Sequence, residues 1–224
     1  MQIKKFDLNL FSKLCSISLV MNGFDHKFNV IKCILQIKHE HATKLVIEQH
    51  EKVYQVFYGI VDDRLIYDKY SPIILKNIFT RNKIMSEKNL DSKLLFITYH
   101  SLNCKLYQDE MINELSNNYQ SHNISWFDIE QVIRPKPQNI YQSYDWIIFG
   151  PECSISNLKI IYNRHFSFIN SFDEFRELFS DLTGYYKVLV LDNKNESNNI
   201  YDKIFTLDYD TVYKYAIKYK KYLW

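Results

Sequence analysis

Short apolar runs alternate along the chain with longer segments whose apolar residues recur at helical spacing. Phe28 to Ile37 reads as a buried strand, and Ala42 to His50 as the helix that follows it. Val53 to Val61, rich in Val, Tyr and Phe, reads as another strand. Ser71-Pro72 opens a helix: Ser71 suits the cap, Pro72 the first turn, and Ile73, Ile74, Leu75, Ile78 and Phe79 follow at helical spacing. Leu94 to Thr98 is a short apolar strand and Leu106 to Tyr119 is helical. Ile124 to Ile129 and Trp146 to Phe149 are further strands, separated by a polar segment with Pro135 and Pro137. Ser171 to Leu182 carries a capping box, with Ser171 placed before Glu174. Val188 to Leu191 is a fully apolar strand. A polar loop, Lys194 to Asn199, then precedes a last strand near Ile204, and a helix-like segment starts at Thr211. Short buried strands alternating with helices predict an α/β domain built on a mainly parallel sheet.

Composition narrows the function classes. A chain of 224 residues has one domain as its natural expectation. A hydrophobic content of 46% with 18 Tyr and 15 Phe excludes a disordered protein. The net charge of +2 gives no bulk electrostatic reason for nucleic-acid or membrane binding. Cys15, Cys33, Cys104 and Cys153 form no C-x-x-C pair, so no metal site is expected. Cys33 and Cys153 lie in or beside apolar runs and read as buried thiols, which favours a reducing compartment. Met1 to Gly23 carries Lys4, Lys5, Asp7 and Lys13 among its apolar residues and has no clean signal-peptide core. No apolar run is long enough to span a membrane. Without secretion, the glycosylation patterns at Asn123-Ile124-Ser125 and Asn195-Glu196-Ser197 read as accidental.

The candidate chemistry begins at Gln36-Ile37-Lys38-His39-Glu40-His41-Ala42-Thr43, which has the length of G-x-x-x-x-G-K-[ST] and keeps only its last letter. Further phrases follow in order. Leu65 to Leu75 is similar to "I-Y-D-E-[FY]-x-P-x-I-L", and Phe166 to Phe175 to "Y-F-x-x-F-x-S-F-D-E-F". Thr183 to Asn193 is similar to "T-x-N-Y-x-C-L-V-I-D-N", with Ser197-Asn198-Asn199-Ile200 and Ile204-Phe205 after it. With these phrases, the chain from about Phe28 to Tyr209 resembles the poxvirus and giant-virus DNA-packaging ATPases of the FtsK/HerA-like P-loop class. The resemblance implies a P-loop NTPase-like three-layer domain over 28–209. Residues 1–27 would form an N-terminal extension packed on the core, and 210–224 a C-terminal basic aromatic helix.

Carried over position by position, the resemblance implies a vacated nucleotide site. Gln36 and His41 fall at the glycine positions, Ala42 at the lysine and Thr43 at the retained hydroxyl. Side chains with a Cβ resist the positive-φ backbone of such a loop, and the lost lysine removes the main contact to the β- and γ-phosphates. Lys38 and Lys44 are the nearby substitutes. Tyr99 and His100 stand where two acids follow the Walker B strand, and neither replaces a carboxylate that positions Mg²⁺ and water. Gln120 and Tyr141 replace two arginines, while Gln131 falls at a sensor-like glutamine. The implied protein is a catalytically inactive packaging-ATPase-like subunit with a structural, assembly or regulatory role. ATP, Mg²⁺ and other cofactors are not expected. Its partner would be an active paralogue, a capsid component or a second copy, in the host cytoplasm (the viral factory) or the virion.

Two alternatives stay open: a nucleotide binder without hydrolysis, and a nucleic-acid module working through the tail. There Lys214, Lys218, Lys220, Lys221 and Trp224 combine cations with stackable rings. The same tail also reads as an amphipathic helix with rings packed and lysines wet. His39, His41, His100 and His122 read as packed or solvated histidines rather than a metal cluster. Asp173-Glu174 reads as a helix first turn, and Asp62-Asp63 as a loop.

Overall fold

The computed structural model describes residues 3–22, 24–38, 41, 43–48, 57, 61–99, 106–130, 133, 136–184, 186–197 and 199–208. Among these, nine strands form one sheet: β1 (Lys4–Lys5), β2 (Ser16–Val20), β3 (Thr43–Glu48), β4 (Ile66–Tyr67), β5 (Leu94–Tyr99), β6 (Ile124–Glu130), β7 (Trp146–Phe149), β8 (Lys187–Asp192) and β9 (Ile204–Asp208). Their order is β1-β9-β8-β7-β2-β6-β5-β3-β4. Every neighbouring pair is parallel except β7–β8 and β8–β9, so β8 alone runs against the rest. The α/β architecture with a mainly parallel sheet is thus as the sequence predicts.

Helices cover both faces. Helix α1 (Phe24–Ile37) and a 3-10 turn over Leu8–Ser12 pack on one face through Phe11, Val30, Ile31 and Ile34, against Ile17, Leu19 and Val46 of the strands. The other face carries α2 (Pro72–Glu87), α3 (Glu110–Asn118), α4 (Gln138–Ser143), α5 (Ile155–His165) and α6 (Phe172–Leu182), with α7 (Ile200–Lys203) leading into β9. The sheet is therefore buried twice, and its strands are apolar on both sides: Leu45 and Ile47 of β3 face one layer and Val46 the other.

Three expectations are corrected. Phe28 to Ile37 is helical, not a strand. Lys27, Val30, Ile31, Ile34 and Lys38 are all buried along one helical stripe, and the 14-residue element exceeds the usual strand length. Ala42 to His50 is not a helix: its described part, Thr43–Glu48, is a strand paired with both β4 and β5. Finally, residues 1–27 are not an extension packed on the core. They supply the edge strand β1 and the strand β2 between β7 and β6 in the middle of the sheet. Of Val53 to Val61 only Phe57 and Val61 are described, joined by a helical Val61 N to Phe57 O hydrogen bond of 3.0 Å rather than by strand pairing. The tail 210–224 lies outside the described residues.

The other expected elements among the described residues agree to within a turn, whereas α4 and α5 were not expected. Ser171 caps α6, its Oγ accepting from the Glu174 N–H at 3.2 Å. Helix α2 starts at Pro72 as expected, although the Ser71 side chain makes no capping bond.

Candidate functional site

In an open parallel sheet, ligands bind outside the carboxyl ends of the strands, where neighbouring strands send their connections in opposite directions. Here that point lies between β2 and β7. From β2 the chain leaves through α1 to β3; from β7 it leaves through α5 and α6 to β8, on the opposite face and the opposite side of the sheet.

Only Met21, Asn22 and Gly23 separate the last residue of β2 from the first of α1. The Met21 N–H donates to the Glu130 carbonyl at 3.1 Å, and the Gly150 N–H to the Val20 carbonyl at 3.0 Å. The Met21 side chain lies so close to Gly150 that a Cβ added there would sit 2.3 Å from Met21 Cγ. Asn22 Nδ2 donates to Glu152 Oε2 at 3.1 Å, and the same oxygen accepts from Asn157 Nδ2 at 2.9 Å. The two loops at the switch point are thereby clipped together.

Lys27 stands one turn into α1 and is 0% exposed. Burial lowers its amine from 10.5 to about 8. Its Nζ lies 5.2 Å from the centre of the Tyr99 ring at the end of β5. In an octet that starts at Met21, Lys27 takes the seventh place, where a phosphate loop has its lysine. Met21 and His26 then hold the glycine places, and Phe28 the hydroxyl place. The helix has already begun at Phe24, so α-helical backbone occupies residues that a phosphate cradle leaves as a wrapped loop.

Beside this crevice a charged cluster is sealed under α4. Lys136 Nζ donates to Asp128 Oδ2 at 2.7 Å and pairs with Glu130, on side chains that are 1%, 2% and 6% exposed respectively. Asp128 also accepts from Tyr144 Oη at 2.6 Å, Tyr107 Oη at 2.9 Å and Thr98 Oγ1 at 2.7 Å. Burial works to raise the Asp128 carboxyl, and Lys136 with the Tyr144 and Thr98 hydroxyls overturns that, holding it below its ordinary value. For Lys136 burial pulls the amine down and Asp128 acts against it. The net direction for the Lys136 amine is downward, while the carboxyl it faces is also held low, which keeps Asp128 ionised. Arg164 Nη1 donates to Tyr141 Oη at 2.5 Å, and His165 is lowered to about 3 by burial beside Arg164 and Lys136.

The sequence-predicted residues do not converge. Gln36 ends up in α1, and Thr43 opens β3, its Oγ1 accepting from Arg81 Nη2 at 2.9 Å. His41 lies buried between them, lowered to about 3 by burial and by Lys38, Lys44 and Lys93. This octet sits at the amino-terminal edge of the sheet, opposite the crevice, so it is not the phosphate-loop position, and Ala42 does not mark the lysine. Gln120 is at the same edge, donating to Tyr119 Oη at 3.1 Å, and Asp145 accepts there from Ser16 N at 2.9 Å. Tyr99 alone of the described set reaches the crevice; Tyr141 belongs to the cluster under α4. Ala42, His100, Gln131 and the tail residues Lys214, Lys218, Lys220, Lys221 and Trp224 lie outside the described residues. His122 stacks on Phe79 at 4.2 Å and pairs with Glu114, whereas His41 meets Ser125. Cys33 is buried as expected, whereas Cys153 is exposed. Among the described residues no group of three or more His, Cys, Asp or Glu could hold a metal ion, and no helix is long and apolar enough to cross a membrane.

Sequence reading missed Lys27, Asn22, Asp128, Glu130 and Lys136. The first two carried a signal: Ser16-Ile17-Ser18-Leu19-Val20 alternates small polar with apolar residues, and Asn22-Gly23 is a turn dipeptide directly after it. The acids carried none, because Asp128 and Glu130 interrupt what otherwise reads as a plain buried strand.

The fold is α/β and P-loop NTPase-like in its mainly parallel sheet flanked by helices. No family model matches the chain. It is similar to the genome-packaging NTPase B204 of Sulfolobus turreted icosahedral virus 2 in complex with ATP-gammaS, with a TM-score of 0.61, 14% identity, and coverage of 86% of this chain and 95% of that one. The B204 DNA-packaging ATPase of Sulfolobus turreted icosahedral virus superposes equally well, at 0.61, 12%, 87% and 97%. In sequence the chain is 22% identical over 184 residues to uncharacterized protein 015R of frog virus 3, covering 80% of this chain and 56% of that protein. Uncharacterized protein L437 of Acanthamoeba polyphaga mimivirus is 19% identical over 215 residues, covering 91% and 76%. The chain thus spans little more than half the length of the frog virus 3 relative.

Proposed function

We propose that the chain is a viral packaging-ATPase-like protein that has given up hydrolysis and serves as a structural, assembly or regulatory subunit. The observation that carries this reading is the filled crevice. Lys27, at the place of a phosphate-loop lysine, is 0% exposed and folded over Tyr99, which stands where an acid would hold Mg²⁺. The buried carboxylates of the neighbouring strand β6, Asp128 and Glu130, are engaged by Lys136. Each missing group contributes on the order of several kcal/mol to a phosphoryl-transfer transition state, so turnover falls to background. ATP and Mg²⁺ are not needed as cofactors. The fold's likeness to packaging NTPases and the viral origin of the sequence relatives support action in an infected cell or virion. The partner would be an active paralogue, a capsid component or a second copy.

One observation favours a second reading, a nucleotide binder without hydrolysis: an amine held near 8 is still mostly protonated at neutral pH and offers a phosphate a positive charge. Thermal-shift titration with ATP and Mg²⁺ separates the two, because a ligand bound only by the folded state raises the melting midpoint. The first reading expects a flat titration and no phosphate release. Phosphate release that disappears in Lys27→Ala would reject it, and a shift without release would select the second.

A further inference from the structure

At the amino-terminal edge of the sheet, away from the crevice, four side chains with exchangeable protons converge. Cys15 directly precedes β2, Lys38 follows α1, His41 lies before β3, and Ser125 is the second residue of β6. Their exposures are 4%, 0%, 2% and 1%. Lys38 Nζ meets three atoms: the Lys13 carbonyl oxygen, Ser125 Oγ at 2.9 Å and Cys15 Sγ at 3.3 Å. Ser125 Oγ also accepts from the Cys15 N–H at 3.3 Å and lies 3.0 Å from His41 Nε2. His41 Nδ1 is buried with no hydrogen-bond partner among the described residues.

An amine has three positions beyond its carbon. Two of its hydrogens satisfy the Lys13 carbonyl and the Ser125 hydroxyl, so the third position points at sulfur. Between thiol–amine and thiolate–ammonium, the Lys38–Cys15 pair shares one proton. Burial favours the neutral form, raising the thiol and lowering the amine. In that form a nitrogen lone pair faces sulfur at 3.3 Å, which is where a nucleophile must be to intercept an oxidised sulfur.

We propose that Cys15 and Lys38 form a reversible sulfur–nitrogen cross-link when the protein meets a peroxide. In the first step Cys15 reacts as the thiolate, its proton held by Lys38, and gives two electrons to hydrogen peroxide: an S–O bond forms, the O–O bond breaks, and the leaving hydroxide takes the proton back from Lys38 as one water, which leaves the amine neutral. In the second, Lys38 Nζ attacks that sulfur: the N–S bond forms, the S–O bond breaks, and hydroxide leaves with an amine proton as a second water. Condensation of a sulfenic acid with a nearby nitrogen is established for backbone amides, and a neutral amine is the better nucleophile. Thiol reduction reverses the link. The cross-link closes a loop between positions 23 apart and ties the start of β2 to the end of α1, fixing the strand–helix unit whose other ends form the crevice.

The test is a tryptic map of the full chain after hydrogen peroxide, read by mass spectrometry in wild type and in Cys33→Ala. The expected product joins the peptide 14–27 to 33–44, uncleaved at Lys38, with the summed mass less two hydrogens, and dithiothreitol releases it. It persists in Cys33→Ala and is absent from Lys38→Met. If Lys38→Met does not fold, the wild-type map decides alone. Cys15 retaining oxygen with Lys38 cleaved normally, a Cys15–Cys33 disulfide, or an unmodified Cys15 at a dose that oxidises the exposed Cys153 would each overturn the proposal.

Discussion

Replacing Lys136 with Met keeps the length of the side chain and removes the one ammonium between two buried carboxylates. Asp128 would retain its bonds from Tyr144, Tyr107 and Thr98, so it is not stripped bare, but it and Glu130 lose their shared countercharge. Breaking a buried pair by removing one partner costs about 3–5 kcal/mol, and the three surviving hydroxyl donors place the loss near 3. The pH dependence has a definite sign. In the wild type the Asp128 carboxyl lies below its ordinary value, so its contribution is present above the ordinary carboxylate range and lost as pH falls through the lowered value. In Lys136→Met one of the two acids must be held protonated in the folded state, which raises its folded value above the unfolded one. The deficit is then small at a pH near the ordinary carboxylate value of about 4 and grows as pH rises to neutrality. Urea unfolding followed by the fluorescence of buried Trp126, whose Nε1 donates to Thr98 within the same network, measures both points. Adding Asp128→Asn to the variant should recover part of the loss at neutral pH. A loss under about 1 kcal/mol, or an equal loss at both pH values, would refute the reasoning.

Two further outcomes follow from the crevice. Gly150→Ala places a methyl 2.3 Å from Met21 Cγ and should cost about 1–3 kcal/mol, with Met21→Ala in the same chain restoring most of it; an unrescued loss in the double variant would mean that the strain lies elsewhere. Lys27→Met should be more stable than the wild type at neutral pH. The amine's folded value of about 8 lies below its ordinary 10.5, so the unfolded state binds more protons in that window and wild-type stability climbs with pH across it. The advantage, at most roughly 3 kcal/mol, should vanish in unfolding curves taken above that window.

Several strands buried on both faces were legible because they are short and bounded, as at Leu94–Tyr99, Trp146–Phe149 and Lys187–Asp192, whereas Thr43–Glu48 was not. Capping chemistry placed α6 at Ser171 for the same reason: the signal is local. The failure came in one stretch and displaced the site with it. Helix α1 is covered so completely that Cys33 and Leu35 are buried beside the stripe of Val30, Ile31 and Ile34, so the run reads as continuously apolar and mimics a buried strand. Taking that run as the strand moved the expected loop to Gln36–Thr43, one element too late, and reduced β2 to part of an extension. Strand β2 itself is weakly apolar because Ser16 and Ser18 face the layer where neighbouring Trp126 and Asp128 lie, and small residues leave room for them. The cluster of Asp128, Glu130 and Lys136 was illegible because its members meet only through the loop that returns from β6 to α4.

The order in which these features would be lost or kept follows from where their energy resides. The sheet is held by alternation along many residues, and β2 is anchored at its start by Asp145, which accepts from the Ser16 N–H and donates its own N–H to the Ser16 carbonyl at 2.9 Å. A phosphate cradle instead depends on a few backbone groups held open, with polar atoms left unsatisfied until a ligand arrives, and such sites are maintained at the expense of stability. Filling the space with Met21 against Gly150 and Lys27 over Tyr99, and answering two buried acids with Lys136, removes open polar surface. Each change is local, and those that add apolar burial stabilise the tips. On the proposed reading, in which hydrolysis is no longer selected, the crevice is where sequence drifts first and where drift leaves the fold intact. A P-loop NTPase-like sheet with closed strand tips is what the proposed reading expects of that asymmetry, and the same asymmetry makes the Lys136 cluster a sensitive place to test it.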